Sequence, residues 1–325
     1  MLRHFRPLIV LVFLCSALPA HAQFTGVTPL NVTINPGYPR PYETVTVTAD
    51  STVIDLSASV VTVSVNGKVV QKGSGVERVP IGIGGPGQTT TITVTATTGG
   101  KTYTKSLSVR PADVALVKEP LSTTHYFYEG GGLIAPEGRV HIVAIADMRT
   151  AAGTRIPESS LVYSWKAGDQ ILQEQSGIGR SVLSVTAPVR YRDAKITVTV
   201  TNLDSSIVAQ ASTLVAPVDP IVRIYKTDAL LGTLFSHALK SPYTLTDSEE
   251  SLTVVPYFFG ADPTITWTVN GQSSGGTRSI TIRSTGSGAG SATVGVGAKT
   301  SDTHQSASAL LSVLFGAPRS GIFGF

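Results

Sequence analysis

Two glycine-bearing stretches spell out chemistry. Gly82-Ile83-Gly84-Gly85-Pro86-Gly87 has the spacing of a dinucleotide loop, whose glycines let amides at a helix N-terminus close on a pyrophosphate. Gly271-Gln272-Ser273-Ser274-Gly275 has the spacing of a hydrolase elbow, a strand-to-helix turn that exposes a serine beside a histidine base. Neither stretch has the setting its chemistry needs. A Thr-rich strand follows the first, and the second runs from a hairpin turn into strand-like Thr277-Arg278-Ser279-Ile280. Both read as loops, and no cofactor is expected.

Titratable groups are scattered. His125, His141, His237 and His304 lie in separate segments, none at metal-ligand spacing from another histidine or a carboxylate. Glu174 and Glu249-Glu250 read as solvated loop charges, so paired-carboxylate chemistry has no named members. No catalytic, cofactor-binding or metal residue is assigned, and the chain is read as a non-enzyme.

Recognition chemistry has two candidates. His125-Tyr126-Phe127-Tyr128-Glu129, followed by three glycines, is the densest aromatic run. Tyr126, Phe127 and Tyr128 could form a stacking platform for a sugar or peptide, or could fill the joint between the first and second domains. The segment 317–325, with Phe323 and Phe325, is the other. Its apolar groups either dock on a partner or fold back on the third domain.

The elements that must carry these residues repeat at about 100 residues, a domain-sized period. Val61-Thr62-Val63-Ser64-Val65-Asn66-Gly67, Leu161-Val162-Tyr163-Ser164-Trp165-Lys166-Ala167-Gly168 and Thr264-Ile265-Thr266-Trp267-Thr268-Val269-Asn270-Gly271 each give an alternating strand and a tight turn. An early strand (44–49, 140–145, 252–257) opens each repeat, and a strand pair (89–98 with 103–109, 196–202 with 207–214, 292–298 with 305–313) closes it. This grammar predicts an all-β chain of three tandem immunoglobulin-like β-sandwiches, over residues 23–111, 112–217 and 218–316. Trp165 and Trp267 occupy matching places, Val63 takes the equivalent one, and all three are expected in the core. Residues 228–239 carry apolar side chains at helical spacing after Asp228, and read either as a short helix or as an irregular first strand.

Residues 1–22 read as a signal peptide: Arg3 and Arg6, an apolar run, then Ala20-His21-Ala22. The segment is either cleaved or kept as an anchor. It holds Cys15, the chain's one cysteine, so the mature chain is expected to have no thiol and no disulfide. Without it, 23 basic residues face 21 acidic ones, a formal net of +2 with no basic cluster, and no nucleic-acid partner is expected. No later apolar run has membrane-spanning length.

Asn35-Pro36 with Glu43-Thr44-Val45-Thr46-Val47, the Val-Asn-Gly turns and the two tryptophans resemble bacterial immunoglobulin-like and PKD-like repeat proteins of cell surfaces. Residues 161–166, 228–232 and 250–259 bring the layout closer to uncharacterised three-domain secreted proteins of candidate-phyla bacteria. The resemblance implies sandwiches and export and assigns no activity. The functional expectation is therefore a non-catalytic exported protein of the periplasm, cell surface or exterior. It would serve binding, adhesion or appendage assembly, with an envelope or surface protein or a glycan as partner. A pure spacer, and an enzyme or its accessory module, are the alternatives.

Overall fold

The structure, a computed structural model, describes residues 29–75, 78–285 and 288–316. The expected leader over residues 1–22 and the tail over residues 317–325, with Phe323 and Phe325, lie outside them.

Alternating Val and Thr build the first sandwich. Its strands are β1 (Asn31–Asn35), β2 (Thr44–Asp50), β3 (Val60–Val65), β4 (Lys68–Ser74), β5 (Arg78–Gly82), β6 (Thr90–Thr98) and β7 (Lys101–Val109). In β2 the odd members Val45, Val47 and Ala49 are buried while the threonines between them face outward, as a period of two requires. Sheets β1-β2-β5 and β4-β3-β6-β7 close over a core of Val45, Val61, Val63, Ile92 and Val94.

The second sandwich comprises β8 (Asp113–Pro120), β9 (Arg139–Asp147), β10 (Val162–Ala167), β11 (Gln170–Ile171), β12 (Gly177–Ile178), β13 (Val182–Thr186), β14 (Ala194–Thr201) and β15 (Val208–Val215). The third comprises β16 (Ile221–Asp228), β17 (Gly232–Thr233), β18 (Tyr243–Thr244), β19 (Glu249–Tyr257), β20 (Thr264–Val269), β21 (Gln272–Gly275), β22 (Ser279–Arg283), β23 (Gly290–Lys299) and β24 (Ser306–Phe315). Setting aside the two-residue β12, β17 and β18, one wiring occurs three times. The first, second and fifth strands form one sheet, and the fourth, third, sixth and seventh form the other. This is a seven-stranded immunoglobulin-like sandwich, repeated. Each repeat begins one strand earlier than the alternation suggested, because β1, β8 and β16 precede the strands read as opening ones.

The central strand of each repeat places one residue at the same point. Val63 pairs with Val94, Trp165 with Val198, and Trp267 with Val296. Both indoles are fully buried, and each Nε1–H donates to a carbonyl of the loop leading to the facing sheet: Arg180 at 2.9 Å and Thr277 at 2.8 Å. The ring therefore fills the inter-sheet space, and its single polar atom is satisfied across it. Beyond these strands, Asn66-Gly67 and Asn270-Gly271 form the tight turns, each with φ of 49° and 82°. The asparagine side chain also accepts from the amide of Thr91 or Thr293 at 2.9 Å, tying the turn to the next strand.

Between β16 and β19 the third sandwich departs from the other two. No helix forms over residues 228–239. Asp228 Oδ1 instead accepts from the amides of Leu230 (2.8 Å) and Leu231 (2.9 Å), closing a turn that leads into β17. A short side-chain acceptor at that position caps a turn as readily as a helix, and Gly232 at φ 75° continues the reversal. The chain then crosses to the other sheet, where β18 runs parallel to β24.

Glu250, read above as a loop charge, is buried in β19. Its Oε1 accepts from Thr246 N (2.7 Å) and Thr246 Oγ1 (2.8 Å) and lies 3.2 Å from Lys226 Nζ, while Tyr243 Oη donates to Oε2. Burial pushes this carboxyl upward, but the donors outweigh it and hold it below its ordinary range. Burial, with the same carboxylate, raises the Tyr243 hydroxyl. The cluster fastens β18 to the body of the sandwich.

Candidate functional site

Three exposed aromatic side chains, Tyr126, Phe127 and Tyr128, gather where the second sandwich meets the third. Residues 121–138 connect β8 to β9 and lie against the end of β19. Thr123 N donates to Phe259 O and Phe258 N donates to Thr123 O, both at 2.7 Å. Phe258 has φ of 64°, so the backbone twists there and its ring enters the joint while Phe259 stays in the sandwich core.

Tyr128 N donates to His125 O at 2.8 Å, closing a turn that carries four consecutive rings. Three rings of the third sandwich meet them. Phe235 lies 4.3 Å from His125 and 4.5 Å from Phe127, centroid to centroid. Tyr128 meets Tyr257 at 5.9 Å and Phe258 at 5.4 Å, both edge-on. Tyr225 stands under Phe235 at 5.4 Å, and its hydroxyl is 2.9 Å from that of Tyr257. The cluster has two tiers. Tyr225, Tyr257 and Phe258 form a buried base, whereas Tyr126 is 80% exposed, Phe127 55% and Tyr128 38%.

Of the two earlier readings of this run, joint-filling describes Tyr128, but at the joint between the second and third sandwiches rather than the first and second. Tyr126 and Phe127 remain exposed to solvent. Burial, and then Arg278, lower the His125 imidazole below its usual range, so its ring is neutral at pH 7. Burial and the bond to Tyr225 raise the Tyr257 hydroxyl, which stays protonated.

Sequence reasoning missed the lower half of this site. Tyr225 and Phe235 are separated in the chain from Tyr257 and Phe258, and come together only when β16 pairs with β19. The run Tyr257-Phe258-Phe259, three large rings at a strand end, was the available signal.

The other candidates fall elsewhere. Val63, Trp165 and Trp267 sit in three separate cores. In the first glycine stretch, a Cβ on Gly85 would strike the Tyr42 hydroxyl, and one on Gly87 would lie 2.4 Å from Thr150 O of the second sandwich. Those glycines allow close packing. The second stretch is the exposed strand β21. His141 lies 3.8 Å from Glu119, and His304 3.0 Å from Glu137 across the second joint. Among the described residues no group of three His, Cys, Asp or Glu could hold a metal ion, and no helix is long and apolar enough to cross a membrane.

No protein-family model matches the chain, and no curated protein matches it significantly. Similar solved structures include three N-terminal domains of the bacteriophage RB49 highly immunogenic outer capsid protein, 12% identical over 88% of this chain and 98% of that one, TM-score 0.26. The fibronectin(III)-like modules of Clostridium thermocellum CbhA are 11% identical over 66% and 100%, TM-score 0.22. Immunoglobulin domains 1–5 of Sidekick-1 are 14% identical over 88% and 59%, TM-score 0.29. At these scores the likenesses carry no inference about binding or activity.

Proposed function

We propose that the chain is a non-catalytic, exported envelope or cell-surface protein whose aromatic cluster at the second joint binds a protein partner. The observation that carries this reading is the contrast between tiers: Tyr126 and Phe127 stand in solvent on a base of buried rings. Exposed rings already held in place lose little entropy on binding and are frequent anchors of protein interfaces. The two exposed rings, Tyr126 and Phe127, tilt by 37° against one another, and Tyr126 stands at 66° to Phe235 although His125 and Phe127 are near parallel at 10°; this gives a knob rather than one flat platform, and a knob suits a pocket better than a sugar face. Export rests on the leader read in residues 1–22, and N-terminal sequencing of the secreted chain should begin at Gln23.

The test uses mature protein and envelope fractions of the native host. Wild type should bind, and the double substitution Tyr126→Ala with Phe127→Ala should lose about tenfold or more, as loss of an interface anchor does. Protease treatment of the envelope should abolish binding. If binding survives protease and fails after periodate oxidation, the partner is a glycan. If the double variant binds like wild type, the array serves as a spacer at this face.

A further inference from the structure

We propose that a polar groove on the third sandwich, beside its contact with the second, binds an anionic sugar polymer. The groove encloses about 540 Å³ and does not include the exposed aromatic rings. Its floor lies on the outward side of β20, β23 and β24, where register fixes two rows. Thr264, Lys299 and Ser306 form one; Thr266, Gly297 and Ser308 form the other. Gly297 leaves the middle of the second row without a side chain, and a Cβ there would meet nothing closer than Thr266 O at 4.0 Å. One row further, the trough closes: a Cβ on Gly295 would strike Thr268 Oγ1 and press on Leu310. The space between β20 and β24 is two strand spacings, about 10 Å, enough for one sugar ring.

The lining chemistry selects the ligand. On the outward faces of other sheets hydroxyls bond across strands, as in Thr93 with Ser106 (2.9 Å) and Thr253 with Ser279 (2.8 Å). Among the described residues the hydroxyls of Thr264, Thr266, Ser306 and Ser308 have no protein partner, so they can meet sugar hydroxyls. Three cations border the groove. Arg190 is neutralised by Asp219 at 2.7 Å, whereas Arg223 and Lys299 have no carboxylate partner among the described residues. Two uncompensated cations beside a hydroxyl-lined trough favour a chain that carries hydroxyls together with carboxylate or phosphate.

The mature protein should be titrated with polygalacturonate, a ribitol-phosphate polymer and neutral dextran, at low and moderate salt. Binding to at least one anionic polymer should exceed that to dextran and weaken with salt. Lys299→Glu should reduce it about tenfold, the loss of one charge-assisted contact. Gly297→Val fills the trough without changing charge or forcing a strained backbone, and should reduce it comparably. Tyr126→Ala with Phe127→Ala should leave it unchanged, so this result stands apart from the fate of the aromatic surface. The proposal is overturned if dextran binds equally well, or if Gly297→Val binds as wild type, which would reduce the groove to a charged patch. The preferred anionic probe tells carboxylate from phosphate.

Discussion

The two joints of this chain are built differently. At the first, Arg40 and Asp113 pair at 3.2 Å with side chains 64% and 46% exposed, Arg110 reaches Ser206 at 3.5 Å, and a gap of about 470 Å³ opens between the sandwiches. At the second, two backbone bonds are exchanged between Thr123 and the Phe258-Phe259 segment, and the aromatic tier seals one side. Gln305 is wholly buried there, donating to Pro136 O at 2.6 Å and accepting from Gly260 N at 2.7 Å. An exposed ion pair contributes about 0–1 kcal/mol. A buried amide whose partners have no water to fall back on enforces one geometry. The contrast teaches that the second and third sandwiches share a joint built on buried hydrogen bonds and rings, whereas the first and second meet through exposed polar contacts and the close approach of Gly87 to Thr150.

Four measurements test that contrast. Gln305→Leu removes one acceptor and one donor and strands Gly260 N and Pro136 O. It should cost about 3 kcal/mol and split a joint urea transition of the second and third sandwiches into two. If the transition stays single, the joint is not held by Gln305. Tyr225→Phe deletes the hydroxyl facing Tyr257 and should cost about 1 kcal/mol in the same transition. Arg40→Ala should cost less than about 1 kcal/mol and leave every transition in place. A loss as large as that of Gln305→Leu would erase the difference between the joints.

The smallest signal is a pH slope. Glu137 accepts from the ring and amide of His304, and these bonds hold its carboxyl below the usual carboxylate range. Because the folded value is the lower one, the stabilisation is complete above the unfolded value near pH ~4.3 and is lost as pH falls through the folded value. The joint should therefore loosen in acid, by hydrogen exchange at residues 134–138. His304→Ala should remove most of that slope.

Much of the sandwich could be read directly. Period-two burial, the two Asn-Gly turns and the matched tryptophans report local chemistry, and local chemistry is written in neighbours. The joints could not be read in the same way. In the sequence the aromatic run lies close to the first joint because β8 is not legible: its eight residues carry the chain about 26 Å, from the first joint to the far end of the sandwich. Lys118 and Glu119 interrupt its alternation and hid it. Residues 228–239 failed for another reason, since a turn followed by a two-residue strand can imitate helical spacing over so short a run. Nothing around Gln305 marks it as buried, because its partners are Gly260, 45 residues earlier, and Pro136 of another sandwich.

The parallel contact of β18 with β24 sets an order of events. It joins residues 243–244 to residues 313–314, so the third unit cannot finish until its final strand exists. The first unit needs nothing beyond β7 and can close while later segments are still being made. Assembly is thus completed last where the aromatic knob and the polar groove reside, because pairings between distant segments form slowly. Chains shortened before residue 306 should keep a protease-resistant front and present a soft rear.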